Sequence, residues 1–590
     1  MAKWMLRRKS ANYTEISKKY NIDPLVAMLI ANRGIEDDKE FNYYINGDNS
    51  IYHNPWLLKD MDKLISELKK QIDENNKIRI IGDYDVDGVC AAAILKKGLD
   101  LYNNIQNNSA IIDAVLPHRI KDGYGLNISM IEKAAEDKVD VILTCDNGIS
   151  AVNEIAYAKT KGIKVLVTDH HEIPFETVEN TKKYIYPDAE AIVDHKRTDC
   201  EYPYKEICGA FLAYKVIEAL LPEDSFVKIQ KELKELACVA TIADIMNLSD
   251  ENRFLVKQGL IYLEKPDNVG LKALVEELEL TDKKITTYHV GFLIGPSINA
   301  SGRVESADFA LELLLTQDEI NAKKLASKLR QFNDKRKELT EEAVEKAICD
   351  IENNQRENDK ILVIYIPDCH ESVAGIVAGK LKTIYSKPCI CISDSNDIAK
   401  GSGRSIEAYN MYEELTKEAK LFIKYGGHSM AAGFSLKREN IDLLRTQLNN
   451  NCKLSKEDCQ EVLHIDADLP LSYMNEKIMK ELEILEPLGE GNPSCMFARK
   501  NLRIVGAKFF GENDLVGRYK VIDTDGKMSE LTLFRKNAKL RSYLEEKYGE
   551  KAVGDAYLGK GEVSFSAAYY PKWNEYNGRK NIQLIIEDFC

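Results

Sequence analysis

The sequence predicts an α/β multidomain protein with a parallel-sheet domain, a long connecting helix, a smaller second α/β domain and a C-terminal β-barrel. Three observations carry this. From Lys77 onward, apolar runs of strand length alternate with segments of helical spacing, the pattern of a parallel, doubly wound sheet. Between Gln317 and Asn358 the chain is densely charged, with an apolar stripe at Leu325, Leu329, Phe332, Val344, Ile348 and Ile351, which reads as amphipathic helix. After the turn-rich Leu488-Gly-Glu-Gly-Asn-Pro493, short strands recur at regular spacing, favouring a small barrel.

The 590 residues exceed one hydrophobic core and suit three or four domains at roughly 100 to 200 residues each. A net charge of −14 argues against binding nucleic acid by overall positive charge, though not against a locally basic groove. The thirteen cysteines are scattered and never spaced C-x-x-C, the nearest approach being Cys389-x-Cys391. They support neither a disulfide framework nor a zinc ribbon and read as reduced core residues. No run reaches the length of a signal peptide core or a membrane span, so a soluble, cytoplasmic protein without membrane association is expected.

Residues 1–75 read as an N-terminal helical segment, including Ile22–Ala31 and Met61–Lys70. Strands follow at Lys77–Gly82, Ile111–Leu116, Val139–Thr144 and Lys164–Thr168, with helices at Gly88–Leu101, Ile128–Glu136 and from Val152. In such a sheet the ligand site lies beyond the carboxyl ends of the strands. Three of the four strands end in residues that bind metals: Asp83-Tyr-Asp85-Val-Asp87-Gly88, Cys145-Asp146-Asn147-Gly148 and Asp169-His170-His171-Glu172. Asp244 closes a further apolar run. In an extended segment Asp83, Asp85 and Asp87 share one face, and a divalent cation relieves their repulsion. A solvated acidic turn, or a helix cap at Asp146 or Asp169, is the plainer alternative for each cluster alone. Their coincidence favours a metal centre. Oxygen donors with one or two imidazoles suit manganese or magnesium rather than zinc, and several shared carboxylates suit two ions about 4 Å apart.

The second α/β domain has a strand at Ile361–Ile366, a helix at Ser372–Tyr385 and a strand at Cys389–Ser393. Barrel strands are expected at Leu502–Phe510, Tyr519–Thr524, Ser529–Phe534 and Val563–Tyr570. There aromatic and basic residues interleave, as in Phe509-Phe510, Tyr519-Lys520, Phe534-Arg535-Lys536 and Tyr569-Tyr570-Pro-Lys572-Trp573 with Tyr576. Half of these aromatics are expected in the core, and the others suit base stacking.

Gly82-Asp-Tyr-Asp-Val-Asp-Gly88, Thr144-Cys-Asp-Asn-Gly148, Thr168-Asp-His-His-Glu172, Ile242-Ala-Asp-Ile245, Gly295-Pro-Ser-Ile-Asn-Ala-Ser-Gly-Arg303, Lys400-Gly-Ser-Gly-Arg-Ser405 and Gly426-Gly-His-Ser-Met-Ala-Ala-Gly433 together resemble the DHH phosphoesterase superfamily and, within it, the RecJ single-strand-specific exonucleases. The resemblance covers nearly the whole chain. It implies a DHH catalytic domain at 76–315, a connecting helix at 316–358, a DHH-associated substrate-binding domain at 359–455 and an OB-fold at 456–590. It also implies that Asp85, Asp87, Asp146, His170 and Asp244 hold two divalent ions, Mn or Mg, with Asp83 a further ligand or neighbour.

On the same resemblance His171 meets the scissile phosphate or second ion, and Asp169 orients both imidazoles. Arg119, Ser402 and Arg404 bind a 5′ phosphate, an arginine fork matching phosphate bidentately; a surface salt bridge is the ordinary alternative. Asn299 and Arg303, on a glycine-bracketed loop, and His428 contact the strand. The implied activity is metal-dependent 5′ to 3′ hydrolysis of single-stranded DNA in repair and recombination. Single-strand-binding protein and a helicase are the partners, and the chain acts as a monomer. The alternatives are a phosphodiesterase for short oligonucleotides or cyclic dinucleotides and a non-catalytic replication scaffold. Two positions depart from the family pattern: Ser372 stands where glycine is common, and Asp194-His195 where Asn-Pro is usual.

Overall fold

The computed structural model describes residues 2–7, 12–47, 49–178, 181–395, 397–576 and 579–590; the side chain of Tyr576 lies outside the described residues. The chain divides into two units, one of residues 48–454 and one of residues 1–47 with 455–590.

In the first unit the five strands Ile111–Val115, Lys77–Ile81, Val141–Cys145, Lys164–Thr168 and Ala191–Val193 lie side by side in that order, all parallel. Their residues alternate between two cores. Ile78, Ile80, Val141 and Leu143 pack with the helices Val86–Ile105, Gly209–Leu220 and Glu223–Ala243. Ile81, Ile142, Val165 and Val167 pack with Ile128–Glu136 and Val152–Thr160 on the opposite face. Burial on both faces is what makes these strands read as continuous apolar runs. Ala191–Val193, with three residues, is too short to show a period.

Three expected local structures differ. Gly295–Arg303 is not a loop: Gly295–Val304 is helical, preceded by a π-helical turn over Val290–Ile294. Pro296 sits in the helix's first turn, where its missing N–H is no loss. Asp244 caps the C-terminus of the helix Glu223–Ala243 rather than ending a strand. The chain turns from extended to helical at Asp85, so Asp83, Asp85 and Asp87 do not share the face of one strand.

The connecting helix spans Glu319–Asn353, capped by the Asp318 side chain, which accepts from the Ile320 N–H. Ala322, Leu325, Ala326 and Leu329 belong to the parallel-sheet core, while Ala343, Ala347 and Ile351 belong to the core of the second α/β domain. One helix thus serves two cores through its apolar stripe. The second domain's sheet has the order Phe422–His428, Ala431–Leu436, Ile398–Arg404, Cys389–Ser395, Leu362–Tyr365. The helix Glu371–Tyr385 packs on it.

The other unit contains a closed barrel. Phe497–Phe510 pairs with Val516–Ile522 and with Ser564–Tyr576; Met528–Phe534 pairs with Val516–Ile522 and with Arg579–Phe589, which returns to Ser564–Tyr576. Tyr519 and Tyr569 fill its core, whereas Phe510 and Phe534 are exposed. The expected N-terminal segment 1–75 is split between the units. Lys3–Leu6 is a strand, paired parallel to Val462–Ile465, and the helix Pro24–Ala31 buries Leu25, Val26, Leu29 and Ile30 in the same core as the barrel. Met61–Asp73 packs in the 48–454 unit. A four-residue strand whose partner lies far along the chain leaves no local signal. Among the described residues no helix is long and apolar enough to cross a membrane.

Candidate metal centre and phosphate cavity

The centre forms where three strand ends and three helix termini meet. The Asp85 side chain caps the helix Val86–Ile105, accepting from the Asp87 and Gly88 N–H groups at 3.0 and 3.1 Å. This leaves Asp83 folded back over that turn. A Cβ on Gly88 would lie 2.4 Å from the Asp83 nitrogen, so only glycine fits there. Asp87 is buried and accepts from the N–H groups of Gly209 and Ala210 at 2.6 and 2.7 Å, the N-terminus of a second helix that favours its charge. Gly209 faces Asp146 so closely that a Cβ would stand 2.7 Å from the Asp146 Cβ. Asp146 follows its strand in the left-handed region (φ 60°).

His170 is the hub. Its Nε2 lies 3.0 Å from Asp146 Oδ1, 3.4 Å from Asp87 Oδ2 and 3.8 Å from Asp244 Oδ2. Three overlapping groups bring ligand atoms within 4.8 Å of one another: Asp146, His170 and His171; Asp87, His170 and Asp244; and Asp83, Asp85 and Asp146. Asp146 and His170 are each shared by two groups, an arrangement able to hold two cations. The burial of so much negative charge is itself a test of fit. Burial first, and neighbouring carboxylates second, push Asp83 and Asp244 up to about 8. Burial and, above all its neighbours, Asp87 raise Asp146 well above the carboxylate range. Asp83 Oδ1 and His170 Nδ1 are buried without a hydrogen-bond partner among the described residues. Clustered, desolvated oxygens with one unpartnered atom fit hard divalent ions.

Asp169 orients one imidazole rather than both. Its Oδ1 accepts from His171 Nδ1 at 2.8 Å and from the His170 backbone N–H at 2.8 Å, but it does not touch the His170 ring. Burial opposes a cation on His171, yet the Asp169 carboxylate outweighs it and lifts His171 to about 9. The Asp169 carboxylate thus favours the imidazolium form of His171. Tyr124, within a motif read only for Arg119, has its hydroxyl 3.1 Å from His171 Nε2 and 3.1 Å from the Asp146 carbonyl oxygen. Burial and the surrounding carboxylates keep that hydroxyl protonated. Tyrosine beside a glycine-rich turn carries no chemical signature in sequence.

Beside the centre is a cavity of about 380 Å³ lined by Tyr84, Arg119, Ser372, Lys400, Ser402 and Lys424, among others. The Arg119 guanidinium stacks 4.4 Å over the Tyr84 ring and has an Nη1 buried without a partner. Arg404 donates to Ser402 Oγ at 3.3 Å and to the Gly403 carbonyl at 2.8 Å. Among the described residues neither arginine pairs with a carboxylate, so the salt-bridge alternative does not hold. Arg303 is half-buried and donates to the Ser372 carbonyl at 2.7 Å; desolvation, with Arg119 and Arg336 nearby, lowers it to about 9. Arg336, on the charged connecting helix, was hidden among many similar residues. Asn299 Oδ1 is buried and unpartnered. His428 is the outlier: it ends an edge strand, exposed, and lines neither cavity nor centre. Asp194 and His195 are fully buried and Ser372 nearly so; none of the three belongs to the ligand groups.

A parallel sheet whose strand ends gather carboxylates and imidazoles around two overlapping cation positions defines a phosphoesterase-type centre. Residues 77–241 match the DHH family N-terminal domain, 358–454 the DHHA1 domain and 465–588 the RecJ OB domain. The chain is 31% identical over 591 residues to the single-stranded-DNA-specific exonuclease RecJ of Bacillus subtilis, covering 99% of this chain and 70% of that protein. It superposes on RecJ from Thermus thermophilus in complex with Mn2+ with a TM-score of 0.79 at 24% identity, covering 100% of this chain and 79% of the other. A second exonuclease RecJ structure, bound to manganese, matches 69% of this chain and 97% of its own at 30% identity and a TM-score of 0.57. The chain belongs to the RecJ family of single-stranded-DNA-specific exonucleases.

Proposed function

We propose that the protein is a metal-dependent exonuclease that hydrolyses phosphodiester bonds of single-stranded DNA from the 5′ end, acting in DNA repair and recombination. The observation that carries this is the placement of a cavity lined by Arg119, Lys400 and Lys424, in which Arg119 has no carboxylate partner among the described residues, beside three overlapping groups of cation ligands. Asp83, Asp85, Asp87, Asp146, His170 and Asp244 would hold two divalent ions, Mn or Mg, which supply an activated water and neutralise charge on the scissile phosphate. Arg119 and Arg404, with Ser402, bind the terminal 5′ phosphate and so fix the next phosphodiester over the centre. The His171 imidazolium, held by Asp169 and Tyr124, sits where it stabilises the developing negative charge and gives a proton to the leaving oxygen. Asn299 and Arg303 steady the backbone of the strand. No side-chain nucleophile is required.

The closed barrel, with exposed Phe510 and Phe534, supports long single strands as substrate over the short oligonucleotides of smaller relatives. Single-strand-binding protein and a helicase are the partners this activity calls for, with the enzyme a cytoplasmic monomer. Arg119→Ala and Arg404→Ala test the end-reading role. Both lose the preference for 5′-phosphorylated over 5′-hydroxyl strands, and an unchanged ratio of initial rates contradicts the assignment.

A further inference from the structure

The helix Glu223–Ala243 that delivers Asp244 ends in an unusual way. The Met246 N–H donates to the Thr241 carbonyl and the Ile245 N–H to the Ile242 carbonyl, at 3.1 and 3.2 Å, which closes the helix with a left-handed residue at Ile245 (φ 57°). Glycine is the residue that occupies such a position without strain. A β-branched residue there is an outlier, and Ile245 gains no compensating burial, being 70% exposed. A strained side chain held in solvent one residue from a metal ligand points to a function outside the core.

A second observation lies beside it. The π-helical turn Val290–Ile294 packs on the same helix end: a Cβ on Gly291 would meet Ile242 at 3.8 Å, and one on Gly295 would meet Ala243 at 3.3 Å. π-turns of this kind concentrate at functional sites. This one is flanked by Tyr288, 60% exposed, and carries Phe292, 67% exposed, their rings stacked with centroids 5.0 Å apart. Two large aromatics stacked on each other in solvent, on a turn packed against the helix end that Ile245 terminates, are exposed apolar surface with no core to serve.

We propose that Tyr288, Phe292 and Ile245 form a stacking platform for a nucleobase of the substrate strand at the Asp244 side of the centre. This rests on the nuclease reading above. The occupant follows from position: the helix Gly295–Val304, which continues directly from the π-turn, carries Asn299 and Arg303, the latter bonded to the Ser372 carbonyl at the phosphate cavity, so one helical run bears both the platform and the residues assigned to the backbone. An aromatic face accepts any base, which suits an enzyme that must advance through every sequence.

The test crosses protein variants with substrate variants, using the full chain, Mn2+ and 5′-phosphorylated single strands in which one nucleotide at a time is abasic. With the native protein, removing the base at the platform's position lowers kcat/KM roughly tenfold to a hundredfold. The Tyr288→Ala/Phe292→Ala protein loses a similar factor on the intact strand and shows no further loss on the abasic one. Phe292→Trp keeps the contrast. If the double variant discriminates intact from abasic strands as the native protein does, the platform is wrong, and the same result is expected if a partner protein covers this patch. If the native protein with Mn2+ cleaves neither strand, the nuclease reading fails and the platform with it.

Discussion

Without a cation, burial and mutual repulsion favour the protonated forms of Asp83, Asp87, Asp146 and Asp244 more than an ordinary carboxylate would. Burial raises all four, with Asp83 and Asp244 at about 8. A carboxyl group whose folded value exceeds its unfolded one stabilises the fold at low pH and loses that contribution as pH rises through the folded value. The raised His171 works in the same direction. In chelator, thermal stability should therefore fall between about pH 4 and pH 8, and Mn2+ should restore it more strongly at pH 8 than at pH 6. Equal Mn2+ shifts in Tm at both values would contradict the cluster's electrostatics. Tyr124 makes a sharper single-residue case. Tyr124→Phe keeps the ring against His171 and removes only the hydroxyl, so kcat/KM should drop about tenfold to a hundredfold, as for other groups that orient a catalytic imidazole, with Mn2+ affinity retained. A loss under twofold would dismiss the hydroxyl.

At the scale of elements, what positions the site is a set of helix termini rather than strand tips alone. Asp85 caps one helix, Asp87 is seated on the N-terminus of another and Asp244 closes a third. Gly88 makes this possible, and Gly88→Ala should cost about 1–3 kcal/mol through overpacking against Asp83 and abolish Mn2+-dependent stabilisation. Wild-type behaviour in a Mn2+ titration followed by Tm would contradict that. This scale also separates what was legible in the chain from what was not. Ile128–Glu136 and Lys164–Thr168 are legible to the residue, the helix through the apolar spacing of its one buried face and the strand as a short apolar run buried on both faces. The glycines and proline of Gly295–Arg303 mimic a loop, whereas the chain is helical over Gly295–Val304, where Gly302 lets the helix approach the Tyr84 carbonyl. The residues that gather at the candidate metal centre are legible as acidic and histidine clusters that close apolar runs. Tyr124, Tyr288 and Phe292 are not, because aromatic residues are usually core and only the fold shows which are left in solvent.

The molecule divides into a unit of residues 48–454, which holds the candidate metal centre, and a barrel unit built from residues 1–47 and 455–590. The pairing of Lys3–Leu6 with Val462–Ile465, and the donation from Arg33 to Asn492 and to the Pro493 carbonyl, tie the N-terminus into the barrel unit. A truncation after residue 493 would thus strip the core from the first 47 residues as well, so the barrel's contribution is better probed by surface changes at Phe510 and Phe534. Within the catalytic unit the connecting helix joins both cores, which keeps Arg303 and Ser372 within hydrogen-bonding distance. On the proposed function, this geometry hydrolyses single strands from a phosphorylated 5′ end with two divalent ions. Digestion of end-labelled single-stranded and duplex DNA with Mn2+, with Mg2+ and with chelator, alongside Asp146→Ala, tests it most directly. Mononucleotides are expected from the 5′ end of single strands only with metal, with a resistant duplex and a fall of at least about 10²–10³ in kcat for Asp146→Ala. Release from the 3′ end, cleavage in chelator, or full turnover by Asp146→Ala would contradict it.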